Sequence, residues 1–128
     1  MLLAIAGLLA STTPSAADDV PLHHVKYTLT ADNPIYADIY YLDQEPPAFA
    51  DFSHNPYQFV PNIQADVGPN RPWTYELDLA NPFNWAFFTA SVGREPSTPM
   101  FHCQLMLDGG IVAMQDGPKG VLCSIRNW

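Results

Sequence analysis

Apolar and polar side chains alternate with a period of two along most of this chain, in short runs broken by turn residues. In HVKYTLTA the set Val25, Tyr27 and Leu29 alternates with Lys26, Thr28 and Thr30, the pattern of a strand with one buried face. After Asn33-Pro34, the segment IYADIYYL repeats it with β-branched and aromatic residues. WTYELDL, NWAFFTASV, MFHCQLML, IVAMQ and VLCSIR continue the series, separated by NP, GREPSTP, DGG and DGPKG, all turn chemistries. No segment carries a sustained helical period. About seven short strands with Pro- and Gly-rich punctuation predict an all-β fold, an immunoglobulin-like β-sandwich.

Between Asp43 and Trp73 the alternation stops. This stretch holds Pro46, Pro47, Pro56, Pro61, Pro69 and Pro72, with Phe49, Phe52, Tyr57 and Phe59 spaced among them. Connections of this length are usually functional or disordered, so residues 44–72 read as an insertion into a single domain spanning 18–128. Within it, YQFVPNIQA is compatible with one edge strand, because Pro61 is tolerated only at an edge or a bulge. The four aromatics either pack back over a sheet or form an exposed patch; rigidified by their prolines, they are the expected partner-binding residues.

Two cysteines carry the clearest architectural signal. Phe101, Cys103, Leu105 and Leu107 share one face of MFHCQLML, and Val121, Cys123 and Ile125 share one face of VLCSIR. The apolar run Met1–Ala10, followed by the small residues Ser15 and Ala17, reads as a signal peptide over residues 1–17, which places the mature chain in the periplasm, the cell envelope or the medium. An even cysteine pair in an exported domain predicts the disulfide Cys103–Cys123. A flat meander through DGG and DGPKG would hold the two cysteine strands about 9.6 Å apart, beyond the roughly 7 Å a disulfide spans. The last strand must therefore cross to the facing sheet or pair directly with the first cysteine strand.

Charge and motifs narrow the function. The 128 residues carry a net charge of −8, and Lys26, Arg71, Arg94, Lys119 and Arg126 are scattered singly, whereas phosphate binding uses clusters; nucleic acid is excluded as a partner. Ser53, His54 and Asp51 are triad residue types, but they lie too close in one Pro-broken loop to converge as nucleophile, base and orienter. With no HExxH, P-loop or Rossmann glycine run either, neither enzymatic activity nor a cofactor is expected. His102, Met106 and Met114 on the face opposite the cysteines form a weak Cu(I) candidate, with gap-filling methionine the better account. His23-His24 beside Asp18 and Asp19 could chelate a divalent ion, although a solvated, frayed end fits them better.

Three segments together resemble a known family. VKYTLTAD…ADIYYLD, RPWTYEL and CQLMLDGGIVAMQDGPKGVLC are similar to the soluble domain of the small mycobacterial membrane proteins (the MmpS family) and related actinobacterial transport-accessory proteins. The match is densest at the tyrosine-rich second strand, at Pro72-Trp73, and from Cys103 through Asp108, Gly109 and Gly120 to Cys123. The resemblance implies a disulfide-bearing β-sandwich outside the cytoplasmic membrane, working with large resistance-nodulation-division exporters of lipids or siderophores. Family members carry a transmembrane anchor and a shorter connection before the Pro-Trp pair. The resulting expectation is a non-enzymatic accessory module of an envelope transport assembly, with an envelope transporter, another membrane or cell-wall protein, or lipid as partner. The alternatives are a small-molecule or lipid-binding secreted protein and, behind it, a hydrolase or metal-dependent enzyme.

Overall fold

A computed structural model describes residues 20–127, so the expected signal segment 1–17 lies outside the described residues. The alternating runs become eight strands: β1 (His23–Ala31), β2 (Ile35–Tyr41), β3 (Asn62–Val67), β4 (Trp73–Leu79), β5 (Phe87–Ser91), β6 (Phe101–Leu107), β7 (Gly110–Gly117) and β8 (Gly120–Ser124). They form two four-stranded sheets, β4-β1-β6-β7 (sheet I) and β3-β2-β5-β8 (sheet II), in which every pairing is antiparallel. The β-sandwich read from the sequence is thus present, with one strand more than about seven.

That extra strand is β3. It comes from the insertion, where Asn62–Val67 pairs with β2 from Ile35↔Val67 to Tyr40↔Asn62. It is an edge strand, and Pro61 stands just before it, where a missing N–H breaks no ladder bond. The rest of the insertion folds as α1 (Phe49–His54) and a 3-10 turn over Pro56–Gln58. A second short helix, α2 (Pro82–Trp85), takes residues that the alternation had assigned to the start of a strand. Pro82 at its first turn supplies the helical φ, and the strand begins only at Phe87.

Inward residues of both sheets fill the core. Val25, Tyr27, Leu29 and Ala31 of β1 face Ala37 and Ile39 of β2 and Phe88 of β5, all buried. Tyr27 is the largest fully buried side chain; its hydroxyl donates to the Leu42 carbonyl at 2.7 Å, so the phenol crosses from sheet I to the end of β2 without stranding a polar atom. Burial pushes its pKa far upward, as desolvation of a phenolate must.

The chain turns from β6 into β7 through Asp108 and Gly109, both at positive φ (50° and 88°), the requirement of a two-residue primed turn. From β7 it crosses to sheet II, where β8 pairs with β5 from Phe87↔Ser124 to Ser91↔Gly120. Cys103 on β6 and Cys123 on β8 therefore meet across the core, bonded with Cα atoms 6.1 Å apart. Of the two arrangements open in the sequence, the crossing to the facing sheet is the one adopted.

Closing a loop of 20 residues stabilises by about 3 kcal/mol in the chain-entropy account. Cys103→Ala/Cys123→Ala is expected to lower the melting temperature by on the order of 10–20 °C for a domain of this size; calorimetry of the variant beside the oxidised parent measures it, and an unchanged transition would contradict the tie.

Candidate functional site

The loops at one end of the sandwich are fastened to one another and carry exposed Leu22, Phe49 and Phe83. Here β1 begins, β2 ends, β6 turns into β7 and β8 terminates. A six-residue helix has no stability of its own, so α1 depends on what it rests against. Phe49 and Phe52, three apart and hence on one side, lie 6.5 and 5.5 Å from Trp85 of α2. The Arg126 guanidinium stands 5.5 Å over the Phe49 ring, a cation–π contact. Glu45 accepts the Ala80 N–H at 2.8 Å, tying the start of the insertion to the β4–α2 connection.

The four aromatics expected to bind a partner separate here. Phe49 is 53% exposed and Tyr57 69% exposed. Phe52 is half-buried between Phe49 and Trp85. Phe59 is 3% exposed and part of the core, which corrects its assignment to a recognition surface. The 3-10 turn accounts for the split: it reverses the chain after Tyr57, and the Phe59 carbonyl then accepts the Asp43 N–H at 3.1 Å, drawing that residue under the loop. Phe83 of α2, 55% exposed, and the exposed Leu22 join Phe49 at this end, with the Phe83 ring 6.5 Å from that of His23. Sequence reading passed over Phe83, which falls between the NP turn and the run NWAFFTASV; Asn81-Pro82 was the available signal of a helical start.

Three of the four histidines, His23, His24 and His102, are engaged by carboxylates. His23 donates to Asp108 at 2.7 Å. His24 faces Glu76 at 2.7 Å through Nε2 and Asp78 at 3.2 Å through Nδ1. These two residues lie in the β1 ladder, so the expected frayed end is an ordered strand; Asp18 and Asp19 lie outside the described residues. His102 is arranged similarly, with Asp116 at 2.6 Å on Nδ1 and Asp32 at 2.9 Å on Nε2. An imidazole with a carboxylate on each nitrogen satisfies both only when protonated. Accordingly, Asp78 and then Glu76 raise the His24 pKa above its ordinary 6.5, and Asp116 and then Asp32 raise that of His102.

This geometry tells against the copper candidate. His102 and Met114 do line one shallow cleft on the outer face of sheet I, together with Thr28, Thr30 and Asp116. Met106 is four residues from His102 along β6, about 13 Å of strand, farther than two ligands of one ion stand, and both His102 nitrogens are already occupied. Among the described residues, no three His, Cys, Asp or Glu side chains are grouped to hold a metal ion. Asp51 and His54 border a cleft beside α1 without Ser53, on a different element from His102. What the end of the sandwich can do chemically is bury apolar and aromatic surface against another body.

Fold and site together define a disulfide-tied β-sandwich with exposed Phe49 and Phe83 at one end. The family model of the Rv2576c beta-sandwich domain matches residues 27–123, and the chain belongs to that family. It is 36% identical over 121 residues to an uncharacterized protein, Rv2576c, of Mycobacterium tuberculosis (strain H37Rv), covering 94% of this chain and 78% of the relative. Uncharacterized proteins of Mycobacterium bovis and of M. tuberculosis strain CDC 1551 match with the same identity and coverage.

Two outcomes follow. Phe59→Ala should cost about 3–5 kcal/mol in denaturant unfolding, as for a buried ring, whereas Tyr57→Ala should stay within about 0.5 kcal/mol. Because the folded pKa values of His24 and His102 lie above the unfolded value of 6.5, their stabilisation is complete below 6.5 and disappears as pH rises through the raised values. Asp108, lowered by His23 and the His24 N–H, contributes in the opposite sense: its share is present above 3.8 and lost as pH falls through the lowered value. Thermal melts should therefore drop as pH rises from below 6.5 through the raised values, and His24→Gln/His102→Gln should flatten that slope.

Proposed function

We propose that this domain is an exported, non-enzymatic interaction module of an envelope transport assembly, of the accessory type that the MmpS likeness implies. The observation that carries the reading is the convergence, at one end of the sandwich, of exposed Leu22, Phe49 and Phe83 with the start of β1. The disulfide supports an oxidising compartment. The non-catalytic reading is supported by where the titratable groups go: His23, His24 and His102 are paired with carboxylates on exposed surface, instead of meeting a nucleophile in a concave pocket.

The docking energy is assigned to a few anchors, as at most interfaces. A photo-crosslinking amino acid at position 83 of the full chain, expressed in its native envelope, should yield an adduct with an integral membrane transporter, identified by mass spectrometry. Placed at position 74 on the outer face of sheet I, it should not. Adducts from position 83 confined to soluble proteins would refute the assignment. Phe49→Ala and Phe83→Ala should each weaken the association by about 2 kcal/mol while leaving the melting temperature within a few degrees of the parent.

A further inference from the structure

The two outer faces of the sandwich differ in chemistry. Sheet I presents ions, with His24, Lys26, Glu76 and Asp78 on one side and His102 and Asp116 on the other. Sheet II presents aromatic rings, amides and hydroxyls with two carboxylates, Asp38 and Asp66, and no cation on its strands. Along β2, Tyr36, Asp38 and Tyr40 point outward, alternating with buried Ile35, Ala37 and Ile39. Register sets their neighbours: Asp38 lies between Gln64 of β3 and Ser91 of β5, and Tyr40 between Asn62 and Thr89. The Tyr36 ring is 61% exposed. Tyr40 is extended by Tyr57 from the 3-10 turn, with ring centroids 6.3 Å apart. The two ring positions on β2 are about 13 Å apart along the strand, with the carboxylate midway.

The polar groups between the rings are held in place. Asp38 Oδ1 accepts from Asn62 Nδ2 at 2.8 Å and from Gln64 Nε2 at 2.7 Å. Asn62 also donates to the Ile39 carbonyl at 3.0 Å, and Gln64 donates to Asn62 Oδ1 at 3.1 Å. Donors are thus consumed internally. Asp38 Oδ2 and the Gln64 amide oxygen remain as outward acceptors without a protein donor among the described residues. A ligand here must bring hydroxyl or N–H donors at the centre and flat apolar faces on either side. None of the five Lys and Arg residues lies on a strand of sheet II; Arg71 stands only at the rim, in the cleft that Asp66 borders, so the strip from Asp38 to Tyr40 offers no cation to phosphate, sulfate or uronate groups. A flat strip of rings and fixed acceptors suits an extended chain of neutral units that alternate C–H faces with hydroxyl donors.

We propose that the outer face of sheet II binds a neutral polysaccharide running along β2, with sugar rings against Tyr36 and the Tyr40–Tyr57 pair and hydroxyls donating to Asp38 and Gln64. Pre-ordering of the amide network lowers the entropy lost on binding. This surface is distinct from the end bearing Phe49 and Phe83, so the inference stands apart from the docking reading above.

The test is affinity electrophoresis of the full chain in gels containing an arabinan, a galactan, a mannan, or an α- or β-glucan, each soluble and neutral. At least one should retard the protein, and that affinity should be insensitive to salt, since no ion pair is formed. Tyr36→Ala should weaken it about tenfold or more, the loss of one aromatic anchor, with the melting temperature unchanged; Gln64→Ala should weaken it with the fold intact, and Phe49→Ala should leave it unaltered. Absence of retardation by every polysaccharide, retardation abolished by salt, indifference to Tyr36→Ala, or a sedimentation dimer dissociated by Tyr36→Ala would each overturn the proposal.

Discussion

A disulfide between residues that share the apolar face of two nearby strands constrains the whole molecule. Cys103 and Cys123 both point into the core, and the hairpin partner β7 would separate their strands if the chain stayed in one sheet. The bond closes because β8 leaves sheet I and pairs with β5 of sheet II. The crossing is made within a few residues, and two glycines permit it. A Cβ at Gly117 would collide with the Gly120 carbonyl oxygen, and one at Gly120 would stand 3.1 Å from the Ala90 carbonyl oxygen. The tight arch and the cross-core bond are therefore one device, which makes β7 and β8 the adjacent free edges of the two sheets. The Gln115 side chain accepts the Leu122 N–H at 2.7 Å, satisfying an edge donor that would otherwise invite another strand.

Tyr27 completes the closure from the other side. Its ring lies against Phe88 at 4.9 Å and Tyr75 at 6.2 Å, while its hydroxyl reaches the chain just beyond β2. With the disulfide and the Tyr27 and Gln115 hydrogen bonds linking the sheets, the connecting loops are freed from holding the sandwich together. They can carry exposed Phe49 and Phe83, which a marginal domain of this size could not otherwise leave in solvent without a use for them.

The strand framework was legible because a period of two survives in single sequences wherever one face is buried. The runs containing Val25, Ile39, Tyr75 and Leu105 needed nothing beyond alternation, and the cysteine faces excluded a flat meander while leaving open whether the last strand crossed to the facing sheet, as it does, or paired with β6. Of the short helices, α2 left only the Asn81-Pro82 start signal, and α1 left none, since it has six residues and owes its existence to Trp85, some thirty positions away. For the same reason, identical residue types in the insertion could not be sorted. Nothing local distinguishes buried Phe59 from exposed Phe49, and only the reversal after Tyr57 does so. His23 and His24 were misjudged because their carboxylate partners, Glu76, Asp78 and Asp108, come from strands and turns that only the register brings alongside.

The two proposed surfaces follow from the same division between strands and loops. Side chains on a ladder are spaced by the backbone, so Tyr36, Asp38 and Tyr40 keep their separation whatever the loops do; such a surface suits a ligand with a repeat of its own. Side chains on α1 and α2 are positioned by contact with Trp85 and can shift together when covered, which suits a partner whose shape is set elsewhere. The end and the face meet near Tyr57, which touches Tyr40 of the sheet from a turn of the insertion.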